Sequence, residues 1–124
     1  MPASFASATF TPDRLIAQNA HLLIDESITL ISGQNLVRGA LLGKITASGK
    51  YTLSLSAAGD GSQTPVAILA EDTNASGGDK VTVAYFRGDF DPSAMTFGAS
   101  HTAASVKAGL RTLNIELIST QGGV

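Results

Sequence analysis

Lys50-Tyr51-Thr52-Leu53-Ser54-Leu55-Ser56 alternates apolar and hydroxyl side chains without a break. Tyr51, Leu53 and Leu55 share one face and Thr52, Ser54 and Ser56 the other, the pattern of an antiparallel strand with one side buried. Downstream, Ala58-Gly59-Asp60-Gly61 is a turn cluster. Pro65-Val66-Ala67-Ile68-Leu69-Ala70 then reads as a strand buried on both faces, with proline tolerated at its start. Gly77-Gly78 breaks the chain, and residues 81–86 alternate again. Upstream, residues 27–31 set Ile28 and Leu30 against Thr29 and Ile31. Runs of this kind, separated by glycine-bearing turns at short spacing, predict a mainly β fold of antiparallel strands. One short helix is expected near the C-terminus. Ser100 is its expected cap, Ala103, Val106 and Leu110 recur at i, i+3 and i+7, and Gly109 ends the pattern early. Residues 114–118 form a last strand, and no segment repeats at a solenoid period.

The N-terminal stretch, Met-Pro-Ala-Ser-Phe-Ala-Ser-Ala-Thr-Phe, has neither period, and Phe5 and Phe10 are its only bulky residues apart from Met1. A segment this poor in apolar bulk cannot offset its own ordering entropy. Residues 1–20 are therefore expected to form a flexible arm, and residues 21–124 a single β domain. Within the arm, Thr11-Pro12-Asp13 offers a helix cap for one short turn through Arg14-Leu15-Ile16. The whole chain, 124 residues and 12.6 kDa, is one domain in size. Cysteine is absent, which excludes disulfides and thiolate chemistry. Charged residues make up 15%, with 8 basic against 10 acidic and no run of one sign. Such a surface has no electrostatic reason to hold nucleic acid or an anionic membrane. The longest strictly apolar run, residues 66–70, is far too short to span a bilayer, and no secretory signal is visible.

Each motif has a plain structural reading. Gly39-Ala40-Leu41-Leu42-Gly43-Lys44-Ile45-Thr46 has three residues between its glycines where a phosphate loop needs four, and Ile45 where it needs a hydroxyl. The two glycines instead ease a sharp bend or close backbone packing. Asp72-Thr73-Asn74-Ala75-Ser76-Gly77 matches the first half of a calcium loop, but Val83 stands where the bidentate carboxylate belongs. A polar hairpin turn is expected there, with Asp79 as an opportunistic ligand at most. Arg87-Gly88-Asp89 is expected as a turn at the end of its strand, and the Asn74-Ala75-Ser76 sequon as idle. His21 and His101 lack second ligands at metal spacing, and no serine sits in a nucleophile elbow. The chain reads as a non-enzyme with no cofactor and no metal.

Arg38-Gly39-Ala40-Leu41-Leu42-Gly43-Lys44-Ile45-Thr46, Gly49-Lys50-Tyr51 and Asp60-Gly61-Ser62-Gln63-Thr64-Pro65-Val66-Ala67-Ile68-Leu69, in this order and spacing, resemble the lambda-type bacteriophage head decoration protein family. Asp13-Arg14-Leu15-Ile16-Ala17, Gly88-Asp89-Phe90 and Leu110-Arg111 extend the resemblance over roughly residues 13–118. One departure is Asn114, where members often carry glycine; asparagine tolerates the same left-handed backbone. The resemblance implies a β-clip fold, a bent antiparallel ribbon with little helix. It implies a homotrimer on the outer surface of the virion, at three-fold and quasi-three-fold sites of the expanded head. There it cements the major capsid protein against internal DNA pressure, after synthesis in the host cytoplasm. It also implies that the arm orders on the shell as an added strand, which makes Phe5, Thr9, Phe10 and Pro12 the candidate capsid-binding residues.

Two other classes compete. A phage tail or surface module recognising a host receptor or glycan would draw on Arg87-Gly88-Asp89 and the polar turns. A small trimeric β-clip enzyme would need charged residues converging at subunit edges, whereas the charges here are scattered singly.

Overall fold

Eleven residues, Lys80–Phe90, form the longest strand among the described residues, and four of the other eight strands bond to it. The computed structural model describes residues 14–119. In chain order the strands are β1 (Ile16–Gln18), β2 (Ile24–Leu30), β3 (Asn35–Leu36), β4 (Leu41–Lys44), β5 (Tyr51–Leu53), β6 (Pro65–Leu69), β7 (Thr73–Asn74), β8 (Lys80–Phe90) and β9 (Ile115–Leu117). The helix α1 (Ala103–Arg111) precedes β9, and two 3₁₀ turns cover Ala20–Leu22 and Pro92–Ala94. The fold is mainly β with one α-helix among the described residues, as the alternating pattern predicts.

β-branched and aromatic residues fill β8, which suits a pleated, half-buried surface. On one side it pairs antiparallel with β2, from Ile24↔Arg87 to Leu30↔Lys80, and with β1, Ile16↔Phe90. On the other side it pairs antiparallel with β6 at Ile68↔Tyr85, and parallel with β9 from Gly88↔Ile115 to Phe90↔Leu117. β5 meets β2 in parallel at Leu30↔Tyr51. The sheet is therefore mixed, with most of its pairings antiparallel as expected. The β8–β9 pair is parallel because α1 carries the chain back across the fold, the crossover that parallel neighbours require.

Side chains along β4 and β6 enter two cores in turn. Leu41 and Ile68 join Leu15, Phe90, Val106, Leu110, Ile115 and Leu117 under the helix. Leu42, Ala67 and Leu69 join Ile28, Leu30, Ala40, Ala75 and Ala84 on the opposite side. Full burial of each leucine or isoleucine contributes about 2 kcal/mol.

Several boundaries differ from the sequence reading. β5 stops at Leu53, so Ser54 is fully buried and Leu55 stands 41% exposed, the reverse of the expected faces. The reason is local: Ser54 Oγ turns inward and donates to Ser62 O at 2.6 Å. Ser100 does not cap the helix. Its φ of 68° is left-handed, whereas a cap needs extended backbone, and Thr102 supplies that with a reciprocal bond to Ser105. Gly109 lies inside α1, because Val106 and Leu110 fix the helix onto the core past it. No helical turn forms at residues 14–16; Leu15 is buried in the core and its carbonyl accepts from Asp91 N at 2.7 Å, which starts β1. Residues 16–18 form β1 and pair with β8, and Leu15 packs in the core before them. Asn114 takes φ 66°, the left-handed geometry in which asparagine replaces glycine.

Candidate functional site

The candidate capsid-binding residues Phe5, Thr9, Phe10 and Pro12 lie outside the described residues. Their point of attachment does not. Leu15 sits in the helix-covered core beside Phe90, and the buried Asp91 next to it accepts from Ser93 N at 2.9 Å and Ser93 Oγ at 2.8 Å, capping the 3₁₀ turn. Leu15 thus leads into β1, which pairs with the last residues of β8.

The motifs singled out in the sequence are structural parts. Gly39 N–H donates to Leu69 O at 2.9 Å, and Gly43 sits inside β4, so these amides do not converge as a phosphate cradle. Gly43 is required by close approach: a Cβ there would lie 2.0 Å from Ser62 O. In the calcium-like stretch the oxygens are already used. Asp72 Oδ1 accepts from Arg38 N at 2.8 Å, and Asn74 Oδ1 from Ser76 N at 3.0 Å. Asp79 pairs with Lys50 Nζ at 2.6 Å and accepts from Ser32 N at 2.8 Å. The Lys50 ammonium and the Ser32 amide hold its carboxyl below the usual carboxylate range. Likewise the Ser62 hydroxyl, 2.5 Å from Asp60, lowers the Asp60 carboxyl. Among the described residues no three His, Asp or Glu side chains gather where a metal ion could be held.

Arg87-Gly88-Asp89 is not a turn but part of β8, with Gly88 opposite Ile115 and Asp89 bonded by the Gln18 and Asn19 amides at 3.2 and 2.9 Å. A receptor-read tripeptide needs a loop tip, and here it lies between two strands. The glycine at its centre mimics a turn signal, which is why the sequence misplaces it.

One pair was invisible in the sequence. His101 Nε2 lies 3.1 Å from Ser54 Oγ, beside a cleft of about 420 Å³ lined by Pro65, Val66, Val106 and Leu110. The Ser54 hydroxyl donates its single proton to Ser62 O, which leaves Oγ as an acceptor toward the ring nitrogen. Forty-seven residues separate the two, and no spacing rule finds such a pair. His21 lies in the first 3₁₀ turn, exposed to solvent.

No metal cradle, phosphate loop or activated nucleophile is assembled among these described residues. What distinguishes the chain is its whole order of glycines, strands and helix, and that order has a counterpart: the family model described as bacteriophage lambda head decoration protein D matches residues 5–117. The chain belongs to this family. Membership makes it a structural protein of the phage head, located on the virion capsid. The match begins at Phe5, so the head decoration pattern extends through the N-terminal segment as well as the folded body. No curated protein matches the chain. No helix among the described residues is long and apolar enough to cross a membrane.

Proposed function

We propose that this chain is the cementing protein of a phage head: a homotrimer of β-clip subunits that seats on three-fold and quasi-three-fold sites of the expanded shell. It joins neighbouring major capsid proteins from outside and stabilises them against DNA pressure. The observation that carries the reading is the family match over residues 5–117, which takes in both arm and body. The anchoring of Leu15 beside Phe90 and Asp91 supports a division of labour, with a rigid body fixing the root of an arm that does the gripping. Phe5, Thr9, Phe10 and Pro12 are the arm's contact residues, with backbone bonds to a shell strand giving affinity and the two aromatic rings giving register. Three arms on one trimer bind with avidity, because the second and third attachments are intramolecular. The trimer favours the expanded state by its differential affinity for it.

Truncation tests the arm. Removing residues 1–10 is expected to leave the native mass and melting of the free protein unchanged while abolishing attachment to expanded heads, read by co-sedimentation. Replacing Phe5 and Phe10 together with alanine should lower shell occupancy with the same unchanged melting. Full occupancy by the truncated chain would transfer the binding to the body.

A further inference from the structure

β2 carries an unoccupied strand position on its outer edge. β8 pairs with all seven of its residues on one side, but on the other β5 reaches only Leu30, where Ile31 N–H donates to Tyr51 O at 2.9 Å. Backbone groups alternate sides along a strand, so Thr29, Ser27 and Asp25 point the same way as Ile31. The partner strand agrees: Val83, opposite Ser27, gives its carbonyl to Ala70 N–H at 2.9 Å, away from β2. Asp25, Glu26 and Ser27 are all exposed. Next to this edge stands the β4–β5 turn, with Gly49 at φ 75° and Ile45 N–H closing it on Lys50 O.

Beside this edge runs a groove of about 420 Å³, lined by Glu26, Ser27, Thr29, Lys44, Tyr51 and Phe86. Tyr51 and Phe86 meet edge to face at 6.0 Å and give it an apolar floor. Burial, reinforced by the nearby Glu26 carboxylate, pushes the Tyr51 hydroxyl above its ordinary value, so that carboxylate lies at the groove. From Asp25 to the Thr29 amide, beyond which the Thr29 carbonyl faces Tyr51 N–H, the free edge is about 13 Å long, enough for a short added strand.

We propose that this edge accepts an extended segment of the shell subunit, with a lysine or arginine opposite Asp25 or Glu26 and an apolar side chain over Tyr51 and Phe86. The inference rests on the capsid reading above and adds a second grip, in the body rather than the arm. The charge pattern selects the occupant. Two copies of this chain meeting edge to edge would bring Asp25 and Glu26 against their own counterparts, the usual device that keeps exposed edges from self-pairing. A basic strand meets no such penalty. β1 and β2 lie along the same side of β8, so the outer edges of both face one flank.

The test uses expanded shells of the encoding phage, stripped of this protein, titrated with the full chain. Ser27→Pro removes one outward N–H and blocks strand addition, yet leaves the β2–β8 ladder intact, since proline is accepted on a strand edge. It should weaken shell binding about tenfold with unchanged melting. Glu26→Lys should also weaken binding, by a factor that shrinks as salt rises. In the unaltered chain, amide exchange at Ser27 and Thr29 should slow on shells. If the unaltered chain binds but Ser27 and Thr29 exchange as in the free protein, or Glu26→Lys binds equally well, the strand-acceptor site is overturned and the capsid reading stands. No binding by the unaltered chain overturns both.

Discussion

The two cores of this sheet are filled by different rules. Under the helix, the buried set is large: Phe90, four leucines, two isoleucines and Val106. On the other side, four of the eight buried residues are alanines, Ala40, Ala67, Ala75 and Ala84. Bulky side chains hold a helix at its ordinary packing distance, whereas alanines let backbone approach backbone. The first core is stabilised by the volume it contains, and the second by the volume it excludes. Removing atoms should therefore damage one, and adding them the other.

The sharpest way to break this contrast is Phe90→Ala. Phe90 is fully buried, packs against Tyr85 with ring centroids 5.4 Å apart, and sits where β1 and β9 both meet β8. A loss of about 4 kcal/mol in denaturant unfolding is expected. Ala67→Leu tests the other core by overpacking, with an expected cost of about 2 kcal/mol by the same measurement. If Ala67→Leu proves neutral, the alanine-rich side is loosely filled and the contrast fails. The smallest effect belongs to Asp79, which pins the end of β8 to Lys50 and to Ser32 at the rim of the alanine-rich side. Its carboxyl is held below the ordinary range, so its stabilising contribution is complete above about pH 4 and is lost as pH falls through the depressed native value. Asp79→Asn should melt slightly below the unaltered protein at pH 7, and the gap should narrow as pH falls below the ordinary carboxylate range. A gap that persists in acid would mean that shape, not charge, holds the rim.

Local pattern made much of this legible. β6 is a short apolar run with proline at its head, and its second half, Ala67–Leu69, is fully buried. Asn114, just before β9, is left-handed, a geometry that asparagine is among the few residues to adopt. What failed was decided by distant partners. β8 runs on through Gly88 because Ile115 pairs there from a strand far along the chain. Ser54 is buried because of Ser62 and His101, and Leu55 is exposed as a result. β1 is three residues long and owes its existence to Phe90 and Asp91. The open β2 edge was equally unreadable, since a strand's vacancy depends on where another strand turns away.

Phe90 and Asp91 are also where the described chain enters and leaves. Leu15 O accepts from Asp91 N on one flank, and Ile118 N donates to Phe90 O on the other. Two strands flanking a third stand about 10 Å apart, so the doorway in and the doorway out share one pole of the molecule. Leu15 and Ile118 therefore both sit at one end of β8, and Lys80 and Val81 stand at its opposite end.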